Sequence, residues 1–172
     1  MAAALSMYEA SIPTFLRALG NLRHVLEAGE AHAKAQGYEP GVLLQSRLYP
    51  DMLPLVRQVQ IATDTAKFGP ARLAGVESPR FEDVETTFDE LYARLDAVAD
   101  YLRTFDEAAL HGSETRAVTL STRTRGELTF DGRGYLFGFA LPNLFFHVTT
   151  AYAILRHNGV PLGKLDYLGP AA

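Results

Sequence analysis

The fold class this sequence predicts is all-α, an antiparallel four-helix bundle with a small β-hairpin between the third and fourth helices. Three observations predict it. Four long stretches repeat apolar residues at three- and four-residue spacings, the joins between them are short, and one period-two segment falls between the third and fourth. At 172 residues, 48% of them apolar, the chain can bury one core and is short for two, so a single domain over residues 1–172 is expected.

Met1 to Ser6 carries no pattern and reads as a frayed leader. The first helix is expected from Ser11, as N-cap, to Gly37, with Pro13 in its first turn. Ile12, Phe15, Leu19, Leu22 and Leu26 form its apolar stripe, while Arg17, Asn21, His24 and Glu27 take the opposite side. After a connection with a short turn at Val42 to Gln45, the second helix is expected to start behind Asp51 as its cap. Its buried stripe reads Met52, Leu55, Val56, Val59, Thr63 and Ala66, with Gln58, Gln60, Asp64 and Lys67 as polar positions. Gly69-Pro70 predicts a kink or break.

Pro79 and Phe81 are expected to lie across the bundle end. In the third helix, Thr87 to Glu90 spells a capping box, and Phe88, Leu91, Leu95, Val98, Leu102 and Phe105 keep the three-four alternation. Its other face, with Glu90 and Arg94 four apart, reads as solvated. Between Glu114 and Phe130 the period falls to two, predicting two short strands that turn near Arg125-Gly126. Asp131 to Gly134 lacks the pattern of a phosphate loop. The last helix starts near Tyr135, bends at Pro142 and closes at Asn158-Gly159, ahead of an irregular tail over 160–172.

The formal charge of −4, with no dense Lys/Arg block, argues against a nucleic-acid partner. The absence of cysteine excludes disulfides and thiolate chemistry. Neither a signal peptide nor a span is read, since Gly138, Pro142 and Asn143 interrupt the longest apolar stretch. A cytoplasmic protein with no membrane partner is therefore expected.

Leu141 to Gly159 is apolar almost all round, yet Asn143, His147 and Thr150 stand at spacings of four and three on one side. A buried polar group without a partner costs about 1 to 3 kcal/mol, so this stripe requires another helix, water or a ligand to answer it.

Several stretches together resemble a bacterial and fungal family of unknown function within the DinB/YfiT-like superfamily of four-helix bundles. They are Met7 to Ser11, Pro50 to Met52, Arg57 to Gln60, Phe81 to Asp83, Leu141 to Asn143, Phe146-His147 and Leu155 to Val160. The resemblance implies a DinB-like bundle in which a divalent metal is held by three histidines, one on the second helix and two on the last. It also implies transferase or hydrolase activity in several members. His147, Arg156 and Gly159 match the last-helix spacing, but Asn143 stands where a histidine would, and the second helix offers Gln58, Gln60 and Asp64. One imidazole with two amides makes a poor set for a first-row metal.

Two functions follow as expectations. The first is a remodelled, metal-free site around His147 that binds a small molecule, with Asn143, Thr150, Gln60 and Tyr152 as its candidate ligand-binding residues and Tyr135 as a further donor. A divalent-metal-dependent transferase or hydrolase, with His147 and either Asp64 or Gln60 as ligands, is its alternative. The second is a non-catalytic bundle in which His147 bonds Gln60 and the stripe specifies packing, with a homodimer through any apolar face left over.

Overall fold

The computed structural model describes residues 5–122 and 126–170. Four long helices carry the fold: α1 (Met7–Gln36), α3 (Leu55–Ala74), α4 (Phe88–Arg103) and α7 (Leu141–His157). Two short helices, α2 (Gly41–Leu44) and α5 (Glu107–Leu110), sit in the connections. A 3-10 turn at Ser113–Thr115 precedes strands β1 (Ala117–Thr122) and β2 (Gly126–Asp131). Helix α6 (Gly132–Tyr135) then passes through a π-type turn (Leu136–Ala140) directly into α7, and α8 (Lys164–Leu168) ends the order.

Around the bundle the neighbours run α1, α4, α3, α7 and back to α1. Helices α1 and α4 pair antiparallel, since Arg23 meets Asp96 and Glu30 meets Tyr92. Helices α3 and α7 do likewise, since Gln58 meets His147 and Thr65 meets Asn143. The four-helix bundle with a hairpin before its last helix is therefore as the sequence predicts. Within it α3 and α4 share a direction, Arg94 meeting Thr63 and Tyr101 meeting Glu77, so the connection from Gly75 to Thr87 runs the length of the bundle.

Each helix is built by local chemistry. Thr87 Oγ1 accepts from the Glu90 N–H at 3.2 Å and the Glu90 carboxylate accepts in return from Thr87 N–H, the predicted capping box. Glu90 is thus committed to the cap and not to Arg94. At α1 the cap is Ser6, paired with Glu9, and not Ser11. Ser11 is buried inside the helix with its hydroxyl on the Met7 carbonyl at 2.6 Å, and Pro13 sits in the second turn. At α3 the cap position is the extended Pro54, and Asp51 lies in the turn before it.

The predicted break at Gly69-Pro70 does not occur, and α3 runs on to Gly75, whose φ of 71° closes it. Gly69 lies under Phe15, where a Cβ would come within 2.6 Å of the ring. The chain keeps its helical path there because tertiary packing outweighs the single ladder bond that Pro70 forfeits. The tail is more ordered than expected, with Gly163 N–H capped by Asp166 at 2.7 Å to start α8.

Strands β1 and β2 pair antiparallel with Val118 opposite Phe130 and Leu120 opposite Leu128. Val118 and Leu120 point inward, and Phe130 reaches Tyr135 and Phe139. The expected turn residues Arg123 and Arg125 lie outside the described residues, as does the leader from Met1 to Ala4. The run Gly132–His157 is one continuous helix of 26 residues, long and apolar enough to cross a bilayer by length and composition. It packs against α3 and α1, while Phe137, Phe145 and Phe146 remain exposed.

Candidate functional site

Helices α3 and α7 form the closest pair in the bundle, and the polar residues of the last-helix stripe are answered there one by one. His147 is buried, 8% exposed, and its Nδ1 lies 2.7 Å from Gln58 Oε1. Gln58 is itself fixed, because its Nε2 donates to the Leu53 carbonyl at 2.9 Å. An amide nitrogen must face that carbonyl, so the amide oxygen must face the ring. His147 Nδ1 therefore carries the proton and donates it, which leaves Nε2 with its lone pair. Nε2 has no hydrogen-bond partner among the described residues, and it is not among the fully buried unpaired atoms. Burial pushes the ring pKa down to about 4, so the imidazole is neutral at pH 7.

One turn earlier on α7, Asn143 Nδ2 donates to Thr65 Oγ1 at 2.7 Å. Thr150 turns its hydroxyl back onto the Phe146 carbonyl of its own helix at 2.7 Å. The stripe is thus three separate contacts, and two of them are made to α3.

Gln60 does not belong to this group. Its Oε1 accepts from Arg57 at 2.6 Å and its Nε2 donates to Glu85 at 2.7 Å, so the expected His147–Gln60 bond is replaced by His147–Gln58. Two residues on a helix are turned by about 200°, which is why the partner and its neighbour face opposite ways. Tyr152 packs edge-on against Tyr167, with ring centroids 5.9 Å apart, on the side of α7 toward α8. Tyr135 is buried with its hydroxyl accepting from Arg72 at 3.1 Å. Neither tyrosine joins His147.

Asp64 is likewise elsewhere. It pairs with Arg94 at 2.9 Å and with Lys67 at 2.9 Å. Arg94, read from the sequence as solvated, is 3% exposed and is the hub of an ionic network that the sequence reading missed. Its guanidinium reaches Thr63 (2.7 Å), Asp83 (3.0 Å) and Glu85 (3.0 Å) as well as Asp64. Arg57 holds Asp83 from the other side at 2.6 Å. Burial alone would raise the Asp83 carboxyl, but these two guanidinium groups outweigh it and hold it below its ordinary value of 3.8. The Phe81 ring lies over both Lys67 and Arg94, at 4.8 and 5.6 Å. Arg94 stands three residues after Leu91 and four before Val98, in phase with the buried stripe, and that phase was the available signal.

The metal ligands that the resemblance implies do not assemble. Gln58 offers its oxygen to His147, Asp64 is neutralised by two cations and Gln60 is engaged at both ends of its amide. Among the described residues no group of three His, Asp or Glu side chains is placed to hold an ion.

The sequence matches, over residues 7–168, the family described as Domain of unknown function (DUF1993). A crystal structure at 1.83 Å resolution of a DinB family member protein from Shewanella denitrificans is similar to this one. The two share 43% sequence identity and a TM-score of 0.89, and the match covers 96% of this chain and 93% of the other. Comparison with functionally curated proteins finds no significant match. With the helical bundle and the two matches in agreement, this chain belongs to the DUF1993 family of DinB-like helical bundles.

Proposed function

We propose that this protein binds a small molecule through a metal-free site at His147, where the neutral imidazole accepts a hydrogen bond from the ligand. The observation that supports this reading is the hydrogen-bond chain: Gln58, locked by the Leu53 carbonyl, accepts a hydrogen bond from Nδ1–H and leaves the Nε2 lone pair without a partner among the described residues. A hydroxyl, thiol or amine donor would complete it. With the conjugate acid at about 4, the ring is a good acceptor and a weak base at pH 7, which favours binding over proton abstraction. The side-chain amide oxygen of Asn143, one turn away, has no partner among the described residues and supplies a second acceptor.

A divalent-metal-dependent transferase or hydrolase is the second reading. One feature favours it, since metal-binding histidines are commonly oriented by donating the other ring N–H to an oxygen. The remaining donors count against it, because Asp64 and Gln60 belong to the Arg94 network.

Elemental analysis of the untagged protein, run beside nitrogen-15 NMR of the histidine rings, separates the two. We expect no stoichiometric metal, and a neutral Nδ1–H ring for His147 at pH 7. A stoichiometric divalent ion in the wild type that disappears in His147→Ala would overturn the metal-free reading and establish the other.

A further inference from the structure

The geometry points to a second binding site, on the α1 side of α7 and separate from His147, for a small monocarboxylate with an apolar body. A cavity of about 200 Å³ lies between α1, α7 and α8, walled by Ala18, Phe145, Val148, Tyr167 and Leu168. Cavities of about 150 Å³ lined by aliphatic and aromatic groups take up benzene, so this space holds one ring or a short alkyl chain.

Arg17 is the only charged residue lining the cavity. Among the described residues it faces no carboxylate, as is also true of Arg47, Arg72 and Arg156, which bond uncharged oxygens. One nitrogen, Nη2, donates to the backbone carbonyls of Leu168 and Pro170 at 3.0 and 3.1 Å. Nη1 and Nε have no partner among the described residues. Nη1, unengaged at the edge of an apolar cavity, can donate a charge-assisted hydrogen bond to one carboxylate oxygen. Among the described residues no carboxylate offsets this charge where the body of such a molecule would end.

The roof supplies an entry route. Helix α8 buries none of its own residues. It is held by polar ties from two helices: His24 to Asp166 at 3.1 Å, Asn21 to the Tyr167 carbonyl at 2.9 Å and Thr149 to the Tyr167 hydroxyl at 3.0 Å. A segment with few buried contacts opens locally at little cost, which lets a ligand pass without unfolding the bundle.

The test uses the full chain at pH 7 with 3-phenylpropionate, its neutral amide and phenyl phosphate as probes, read by calorimetry and ligand-observed NMR. Saturable one-to-one binding of the acid is expected. Arg17→Gln should weaken the acid by about tenfold or more and the amide by less than about twofold, since only the charged pair is lost. Val148→Phe, which fills the cavity, should abolish both. Arg17 is exposed, so its variant folds, and it carries the decision. No saturable binding of the acid up to about 10 mM, or an unchanged acid affinity in Arg17→Gln, overturns the proposal. Phenyl phosphate binding about tenfold more tightly than the acid overturns the carboxylate assignment.

Discussion

Gln58 is the residue on which the chemistry of His147 turns. By presenting an oxygen, it fixes the ring's proton on Nδ1, and the surrounding apolar groups lower the ring pKa from 6.5 to about 4. The linkage to stability follows from the sign of that shift. An unfolded chain binds the His147 proton below about pH 6.5 and the folded chain only below about 4, so stability falls as pH drops through that interval and levels off below it. Between pH 7 and 5 the contribution lost is about 2 kcal/mol. Urea unfolding of His147→Gln, which keeps a donor for Gln58, should show an acid-side decline smaller by about that amount. A decline identical to wild type would mean that the ring titrates alike folded and unfolded.

Among the elements, α3 departs most from what its sequence suggests. Gly69 and Pro70 predict an interruption, yet the helix continues because Gly69 gives the Phe15 ring its place. Ordinary helix propensity favours Gly69→Ala by about 1 kcal/mol. Here the added Cβ would meet Phe15 Cζ at 2.6 Å and Cε2 at 2.8 Å, and Phe15, fully buried, has nowhere to turn. We therefore expect a net loss of about 1 to 3 kcal/mol, measured as a lowered midpoint in urea. A more stable variant would show that the ring can shift.

The same helix explains what was legible. Thr87 and Glu90 could be read because a capping box is local, and the stripe from Phe88 to Phe105 because α4 has a wet side. Helix α3 buries residues on most of its circumference, among them Gln58, Gln60, Thr63 and Lys67, so its apolar stripe does not tell which polar residues turn inward. The sequence points His147 to an α3 amide, but the expected partner, Gln60, is two residues from the actual one, Gln58. Nor could it show that Asp83 and Glu85 fold back onto Arg94, since that contact depends on the path of the whole connection from Gly75 to Thr87.

At the scale of the molecule, Arg94 joins α4, α3 and that connection, with Arg57 and Lys67 balancing the remaining carboxylates. Removing one partner from a buried ionic network leaves the others uncompensated, at a cost of about 3 to 5 kcal/mol. Arg94→Met should therefore lower the thermal midpoint by about 10 °C in a chain of this size. Hydrogen exchange should quicken first in the segment that carries Asp83 and Glu85. Acid acts on the same network from the other side. The depressed Asp83 pKa contributes stability that is present above 3.8 and lost as pH falls below it, separate from the His147 interval. A midpoint within about 2 °C of wild type would assign the network a solvated, marginal role.

The π-type turn at Leu136–Ala140 adds one residue to the circuit that an α-helical turn would use. Each residue of an α-helix turns the chain by about 100°, so the extra one sets the angular offset between the α6 end, with Tyr135 on Arg72, and the α7 face that carries His147. Insertions and deletions are therefore not neutral in this short segment. A relative one residue shorter here would present the hairpin and the His147 face in a different rotational frame, and an alignment that slides a gap across residues 136–140 would match side chains pointing in unlike directions.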